Sequence, residues 1–581
     1  MLDLLVKYAH SEELITQPGF APKDVRWALD FDAGGRFLGV LPLGNPAGKG
    51  NPGQKFAKCP DLTQPELTSG SETRSHFLVD TCQVVANWPK SGTPEKVIRD
   101  IEAKHEYFVR LLRDASSVTP CLKPVADSLA DDAVLAQIQA GLSGKKASPT
   151  DKITIRVDGA FPVEDCSWHA WWQTFRRTLT RQGTGSQMIC LATGQTVEPA
   201  RTHPKISGLS DVGGMGMGSS LIGYDKDSFQ SFGLSQSENG AVSEEAAAAY
   251  RAALNDLLDR HSRRLAGAKV AHWFKDRVAA DEDPLEWLES AEETEKLTAQ
   301  QRARELLDAI RTGQRPDLQQ NHFYALTISG AAGRAMVRDW MEGQFEELVR
   351  NINGWFDDFS IVNRDGTGLA PPPKFMAVLG STVRALDDLA APAVAALWRS
   401  ALTAGPIPRQ LVAQALARAR CDIIDDQAAN HARFGLIKAF LVREGDTDVK
   451  PYLNEDHPSP AYHCGRLMAE YARLQYAALG DVGAGIVQRF FAAASATPAL
   501  VLGRLARLSQ FHLNKLDPGL AHYFESKIAD IWARIGDRPP GALKLEEQSL
   551  FALGYYQQLA ADRAGRTGAA LTEPVKEESN V

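Results

Sequence analysis

Between Arg176 and Lys205 the chain sets five basic side chains, Arg176, Arg177, Arg181, Arg201 and Lys205, against the single acid Glu198. It then runs into a glycine-dense loop carrying Gly208, Gly213, Gly214, Gly216 and Gly218. Cationic side chains beside backbone stripped of Cβ atoms suit close approach to a phosphodiester chain, because glycine lets main-chain N–H groups reach phosphate oxygens. The chemistry available to such a stretch is anion capture. The same text also fits a solvated basic face beside a surface loop.

Three further groups of residues have the same character. Lys49, Lys55 and Lys58 stand in glycine-rich text with no acid between Arg36 and Asp61. The polar run TSGSETRSH, from Thr68 and Ser69 to Arg74 and His76, ends where the apolar Phe77-Leu78-Val79 begins, which makes Arg74 and His76 reachable by a ligand; a single histidine here also reads as a packed or surface residue. Further on, Arg399, Arg409, Arg418 and Arg420 lie in one acid-free window, and Arg489, Arg504, Arg507 and Lys515 in another. Two such windows in one region predict a phosphate-tracking face.

Catalytic patterns are missing by comparison. A phosphate-binding Walker loop needs a lysine before its terminal Ser or Thr, and the segment Gly213–Ser219 offers methionine and glycine instead. His76 and Asp80 sit four apart and His203 lies in basic text, but no H-E-x-x-H or G-x-S-x-G accompanies them. A metal-dependent nuclease wants several clustered carboxylates, and the one dense acidic run, Asp281 to Glu295, reads as a solvent-facing helix or loop. The expectation is a protein without catalytic residues, cofactor or metal.

The elements that must carry these residues are of two kinds. Alternation from Val25 to Leu43 predicts a β-hairpin, Lys152–Val157 and His322–Ser329 predict strands, and 94–114, 127–142, 167–182, 243–264 and 333–356 predict helices. In the 167–182 helix, Trp168, Trp171, Trp172 and Phe175 form a stripe that reads as a core face. Pro371-Pro372-Pro373 enforces extended chain and predicts a boundary, with helices rich in alanine, leucine and arginine beyond it. The fold class is therefore α+β: a mixed region of short antiparallel sheets and helices over 1–370, possibly two subdomains, followed by a helical bundle over 371–581.

Length and composition agree. With 581 residues the chain exceeds what one core supports, and 44% hydrophobic with 23% charged residues is ordinary for a globular protein. The net charge of −8 is no argument against a polyanionic partner, since the run Asp281–Glu295 alone holds eight acids and no base. Seven cysteines without a C-x-x-C pair predict a reduced compartment and no structural zinc. The amino terminus, MLDLLVKYAHSEELI, carries acids and lacks a continuous apolar run, so it reads as neither signal peptide nor membrane span, and a cytoplasmic location is expected.

Several segments taken together resemble the large subunit of the type I-C CRISPR surveillance complex, Cascade. They include GGRFLGVLPL, TSGSETRSHFLVD, KHEYFVRLLRDA, ITIRVDGAFP, CLATGQTVEPARTHPKISGL, HFYALTISGAAGRAMVRDWMEG, ARFGLIKAFLVRE and FFAAASATPALVLGRLARLSQFHLNKL, collinear from residue 34 to 516. The resemblance implies a subunit without catalytic chemistry in an RNA-guided antiviral complex, recognising a protospacer-adjacent motif in duplex DNA, helping to open it and stabilising the R-loop. It implies as partners the complex's backbone, RNA 5′-end and small subunits, its guide RNA, the target duplex and displaced strand, and a recruited helicase–nuclease. A metal-dependent nuclease and a purely structural scaffold are the alternatives.

The residues expected to meet nucleic acid are Lys49, Lys55, Lys58, Thr68, Ser69, Arg74, His76, Arg201, His203, Lys205, Ser219, Arg504, Arg507 and Lys515. Lysines of the first loop and the 201–205 segment would grip duplex phosphates, Arg74 and His76 would probe base edges, and the last three would guide the displaced strand. Where the family pattern leads one to expect asparagine before the phenylalanine, this chain has His76, which offers a different hydrogen-bonding edge. The resemblance also implies that the helical tail can be made separately from an internal start, and Met468 is the only methionine after Met376.

Overall fold

The computed structural model describes residues 1–14, 17–44, 53–63, 66–67, 72–179, 187–224, 226–288, 299–425 and 430–567. Its amino-terminal portion begins with helix α1 (Leu2–Ser11), followed by strands β1 (Phe20–Val25), β2 (Trp27–Phe31), β3 (Phe37–Pro42) and β4 (Gln54–Pro60). β2 and β3 form the predicted hairpin, with Leu29 opposite Val40. The Asp32 carboxylate closes its turn by accepting from the N–H groups of Gly34 (3.0 Å) and Arg36 (2.9 Å). β5 (Asp80–Thr81) and β6 (Lys152–Val157) complete a sheet of order β3-β2-β6-β5, in which β6 runs parallel to β2. β1 and β4 pair separately as an antiparallel ribbon.

Helices α2 (Glu95–Ala115), α3 (Leu122–Leu129) and α4 (Asp132–Gly144) share one buried core with these strands. The single helix expected over 127–142 is interrupted at Asp131, whose side chain accepts from the N–H of Ala133 at 2.8 Å and so starts a new helix. Trp168 and Trp172, just before and within α5 (His169–Leu179), are fully buried and pack around Phe77. Two short strands, β7 (Lys205–Ile206) and β8 (Ser219–Ser220), frame the glycine loop, with Ile206 opposite Ser219. Helix α6 (Glu244–Arg260) is capped as expected, the Ser243 hydroxyl accepting from Ala246 N–H at 3.1 Å.

The next portion is less helical than the sequence suggests. β9 (Ser262–Leu265) and β10 (Ala268–Phe274) form an antiparallel pair where only a helix end was expected. After the short α7 (Pro284–Trp287) and α8 (Ala299–Arg311) comes a long hairpin, β11 (His322–Ala331) and β12 (Arg334–Gln344). The helix expected over 333–356 therefore begins only at α9 (Phe345–Phe359). The cause is local: Ala332 and Gly333 take positive φ values of 45° and 88°, which reverse the chain and hand 334–344 to the apolar β11 as a partner strand. From there to the carboxy-terminal end the described chain is essentially helical: α10 (Ala391–Thr403), α11 (Arg409–Ile424), α12 (His431–Arg443), α13 (Pro460–Leu479), α14 (Ile486–Ala494), α15 (Pro498–Leu513), α16 (Pro518–Ile535) and α17 (Leu545–Thr567). The α+β class with a helical carboxy-terminal region is as expected.

The described residues group into two compact units: Met1–His261 with Gly330–Met336, and Ser262–Ser329 with Val337–Val581. The division expected at Pro371 is not where the chain divides. A single buried core has members on both sides of the proline segment, from Leu265 to Ala560; Pro371 itself is exposed, but Ala370 and Phe375 are buried, and the Phe375 N–H is bonded to Leu288 O at 2.9 Å. Extended proline text thus joins two stretches of one core instead of two domains.

Within the second unit α13 and α17 meet backbone to backbone. A Cβ at Gly465 would stand 1.9 Å from Phe551 O, and one at Gly554 2.2 Å from Tyr462 O. Met468 is fully buried midway along α13, so a chain started there would lack the glycine that makes this approach possible. No described helix is long and apolar enough to cross a membrane.

Candidate nucleic-acid interface

In the first unit the β1–β4 ribbon positions the first lysines. On β4 Phe56 and Cys59 are buried, the ladder shifting register between their partners Lys23 and Ala21, while Lys55 is exposed. Lys55 is exposed and has no carboxylate partner among the described residues, although Asp24 stands opposite it in the ladder. The Lys58 ammonium lies 4.9 Å above the Phe20 ring. Lys49, Thr68 and Ser69 lie outside the described residues.

Arg74 and His76 are placed differently. Arg74 is a mostly buried brace: its Nη1 donates to Glu66 O at 2.6 Å and its Nε lies 3.8 Å from Glu72. These contacts are internal to the protein. His76 keeps 24% of its side chain exposed. Its main-chain N–H donates to Asp80 Oδ2 at 2.8 Å, and its Nδ1 accepts from Leu62 N–H at 3.3 Å. Burial, followed by the nearby Lys23 ammonium, pushes its pKa down to about 4. Beneath it Asp61 meets Lys23 at 3.2 Å and Arg251 at 3.4 Å. Burial alone would raise that carboxyl, but Lys23, His76 and Arg251 hold it well below the usual carboxylate range.

The Arg176–Lys205 stretch is not one basic surface. Arg176 points inward, pairing with the buried Glu66 at 2.8 Å and with Glu244 at 2.6 Å, so the acids it meets come from distant text. Arg177 is exposed, and Arg181 lies outside the described residues. Arg201 and Lys205 are exposed without carboxylate partners among the described residues. His203 between them is buried, its Nε2–H donating to Gly240 O at 3.0 Å and its Nδ1 accepting from the Tyr250 hydroxyl at 2.9 Å, so it anchors the segment and offers no nitrogen to a phosphate. Burial pushes its pKa down.

The glycines are used differently from the expectation as well. A Cβ at Gly213 would come 2.9 Å from Gly330 O, one at Gly330 2.0 Å from Gly214 N, and one at Gly214 2.7 Å from Leu209, so the bare backbone serves internal packing, against the hairpin tip and within the loop. Ser219 is fully buried, its hydroxyl accepting from Met215 N–H at 3.3 Å. What the loop presents outward is Met215 and Met217, the latter 83% exposed. Nothing in the residue types marked these methionines as surface groups, because methionine is usually core.

In the second unit the two acid-free windows part company. Arg399 pairs with Asp339, Arg409 with Glu546 (2.6 Å) and Glu444, and Arg418 with Asp422 (2.8 Å), while Arg420 bonds Ser495 and Gln548. Three of that window's four bases thus meet acids, two from distant text and Asp422 from the next turn of the same helix, while Arg420 is held by neutral polar groups. Arg489, Arg504, Arg507 and Lys515 are exposed and have no carboxylate partner among the described residues. Leu500, Arg504, Arg507, Phe511 and Lys515 follow one another at three- and four-residue steps along α15 and past its end, which puts them on one face. Phe511, 68% exposed, was not foreseen and is the aromatic member of that face. Arg504 lies 5.4 Å from the Phe490 ring.

The acidic run is less solvent-facing than expected over its described part. Glu282 pairs with Arg315, Glu286 with Arg263, and Asp283 with His272 at 2.7 Å. His272, Asp283 and Glu286 are the one described set with ligand atoms close enough to share a metal ion, all within 4.8 Å. Arg263 already meets Glu286, and Asp283 Oδ1 is occupied by Leu285 N–H at 2.9 Å.

Comparison with known proteins places this arrangement in context. The family model for CRISPR-associated protein (Cas_Csd1) matches residues 5–562, almost the whole chain. No curated protein matches it.

Proposed function

Because this chain belongs to the Cas_Csd1 family of CRISPR-associated proteins, we propose that it is the non-catalytic large subunit of a type I-C surveillance complex, reading a protospacer-adjacent motif in duplex DNA and steadying the R-loop. Its first unit engages the entering duplex through Lys55, Arg201 and Lys205. Its second unit guides the displaced strand along the Arg504–Lys515 face. The observation that carries this reading is selective neutralisation: bases such as Arg176, Arg399, Arg409 and Arg418 are met by acids, while those six cations remain unmatched among the described residues. Unmatched cations are what a polyanion replaces counterions upon. Base pairing with the guide reads the rest of the target, and the subunit works in the cytoplasm beside the guide-bound backbone and small subunits and a recruited helicase–nuclease.

The test is a motif-library binding assay on the assembled complex with and without this chain. Motif-dependent duplex binding that requires the chain is expected, and its affinity should fall by about three decades between 50 and 200 mM salt if about six phosphates are contacted. Equal binding of all motifs with and without the chain would make it a scaffold. Divalent-ion-dependent cleavage by the purified chain would overturn the non-catalytic assignment, and His272, Asp283 and Glu286 would then be the first residues to replace.

A further inference from the structure

We infer that Glu470 and Asp562 share one proton inside the second unit, and that this proton fastens helix α13 to α17 where α16 joins them. The cluster is a latch that loosens as pH rises. It stands apart from the DNA-binding function proposed above.

Three helices hold the two acids away from water. Glu470 on α13 is fully buried, and Asp562 on α17 keeps 6% of its side chain exposed. Lys527 reaches in from α16, its ammonium 2.8 Å from Glu470 Oε1 and 2.5 Å from Asp562 Oδ1. The Gln558 amide bridges the same two oxygens, its Nε2 group donating to them at 2.9 and 3.1 Å. Arg466 fixes that orientation from the other side, donating to Gln558 Oε1 at 2.9 Å. Arg473 serves one acid only: its Nη1 stands 3.1 Å from Asp562 Oδ1 but 3.7 Å from Glu470 Oε2, beyond hydrogen-bond reach.

Donors therefore crowd onto one oxygen of each acid and leave the other bare. Glu470 Oε2 and Asp562 Oδ2 are buried and accept no hydrogen bond from the described residues. As ionised oxygens each would carry an uncompensated desolvation cost. The two carboxyls lie within hydrogen-bonding reach of each other. A proton on Glu470 Oε2 turns that oxygen into a donor for Asp562 Oδ2, which satisfies both and removes the repulsion of two like charges that water cannot screen.

The surrounding charges agree. Burial, then the Asp562 charge, push the Glu470 pKa up to about 7 against the pull of Lys527. Arg466 and Arg473 on its own helix, Lys527 and the Tyr523 hydroxyl on α16, and Asp562 on α17 are the ionisable groups around it. Because the folded value stands above the ordinary 4.5, the folded chain keeps a proton that the unfolded chain has released. The resulting stability is complete below about 4.5, shrinks as pH rises and is gone above about 7. His463 on the same helix acts with the opposite sign, so the difference between variant and wild type carries the test.

The experiment compares the whole chain with Glu470→Gln and Asp562→Asn by difference infrared spectroscopy between about pH 6 and 8.5, where ordinary carboxyl groups are already ionised. The wild type should show the C=O band of a protonated carboxyl group at the lower pH and lose it at the higher. Both variants should lack that band, Glu470→Gln because the acid is gone and Asp562→Asn because the neutral amide supplies N–H donors and no repulsion. In urea unfolding, the folding constant of the wild type should fall by roughly a hundredfold relative to Glu470→Gln from about pH 4.5 to 8. A band that persists in Asp562→Asn would place the proton on Glu470 without sharing and overturn the inference, as would parallel urea curves. Should either variant fail to fold, the wild-type spectra decide: an acid band that titrates near neutrality supports the shared proton, and its absence at about pH 6 overturns it.

Discussion

Arg176 Nη2 lies 2.8 Å from Glu66 Oε1 with both side chains buried, so the most basic text in the chain begins with an internal ion pair. Removing one member of such a pair leaves the other charge buried and uncompensated, at a cost of about 3–5 kcal/mol. Arg176→Ala should therefore destabilise the first unit by that order in urea unfolding. A loss under about 1 kcal/mol would show that Glu66 finds another partner or water.

This pair also shows what the sequence could and could not convey. Hydrophobic alternation predicted the β2–β3 hairpin and β6, the tryptophan stripe predicted a core face, and alanine-rich text predicted the helical end; each is a signal written in neighbouring residues. Charge neutralisation is not local. Arg176 meets Glu244, Arg399 meets Asp339 and Arg409 meets Glu546, partners that only the fold brings near. The same limit explains β12, whose identity as a strand depends on the turn at Ala332-Gly333 and on β11 beyond it. Proline text at 371–373 is legible as extended chain, but not as a link between two stretches of one core.

Matched and unmatched bases should separate in a salt titration. Replacing Arg504 and Arg507 with alanine should lower the slope of log affinity against log salt for single-stranded DNA by about 0.7 for each phosphate no longer neutralised, with little change in unfolding midpoint. Replacing Arg399 and Arg409, which are engaged with Asp339 and Glu546, should leave that slope unchanged. The opposite pattern would mean that the ion pairs open on binding.

His463 gives the second unit a pH dependence of definite sign. Its Nε2–H donates to His457 O at 2.6 Å, and its Nδ1 faces the Arg466 guanidinium at 3.2 Å, leaving no place for a second proton. Burial pushes its pKa down to about 4 from 6.5, the Arg466 charge adding to the shift. Between those values the unfolded chain binds the proton and the folded chain does not, so stability is lost as pH falls from about 6.5 towards 4. The contribution is of the order of 3 kcal/mol. Urea midpoints measured across that window should fall less steeply in His463→Gln than in the wild type, and parallel curves would refute the assignment.

Phe511 and its basic neighbours make separable predictions on one helix face. Arg504, Arg507 and Lys515 act through charge, which salt screens, whereas an exposed ring acts by stacking on bases of any sequence, which salt barely touches. With the proposed function, Phe511→Ala should weaken binding of the displaced strand by about 1–3 kcal/mol at every salt concentration, leaving the slope of log affinity against log salt as in the wild type. Because the side chain is 68% exposed, its removal opens no cavity and should not lower the unfolding midpoint. Phe511→Trp should retain binding, since it keeps an aromatic face. An alanine variant that binds the strand normally but no longer assembles with its complex would assign the ring to a protein contact instead, and the cations beside it would then be the whole of the strand-guiding surface.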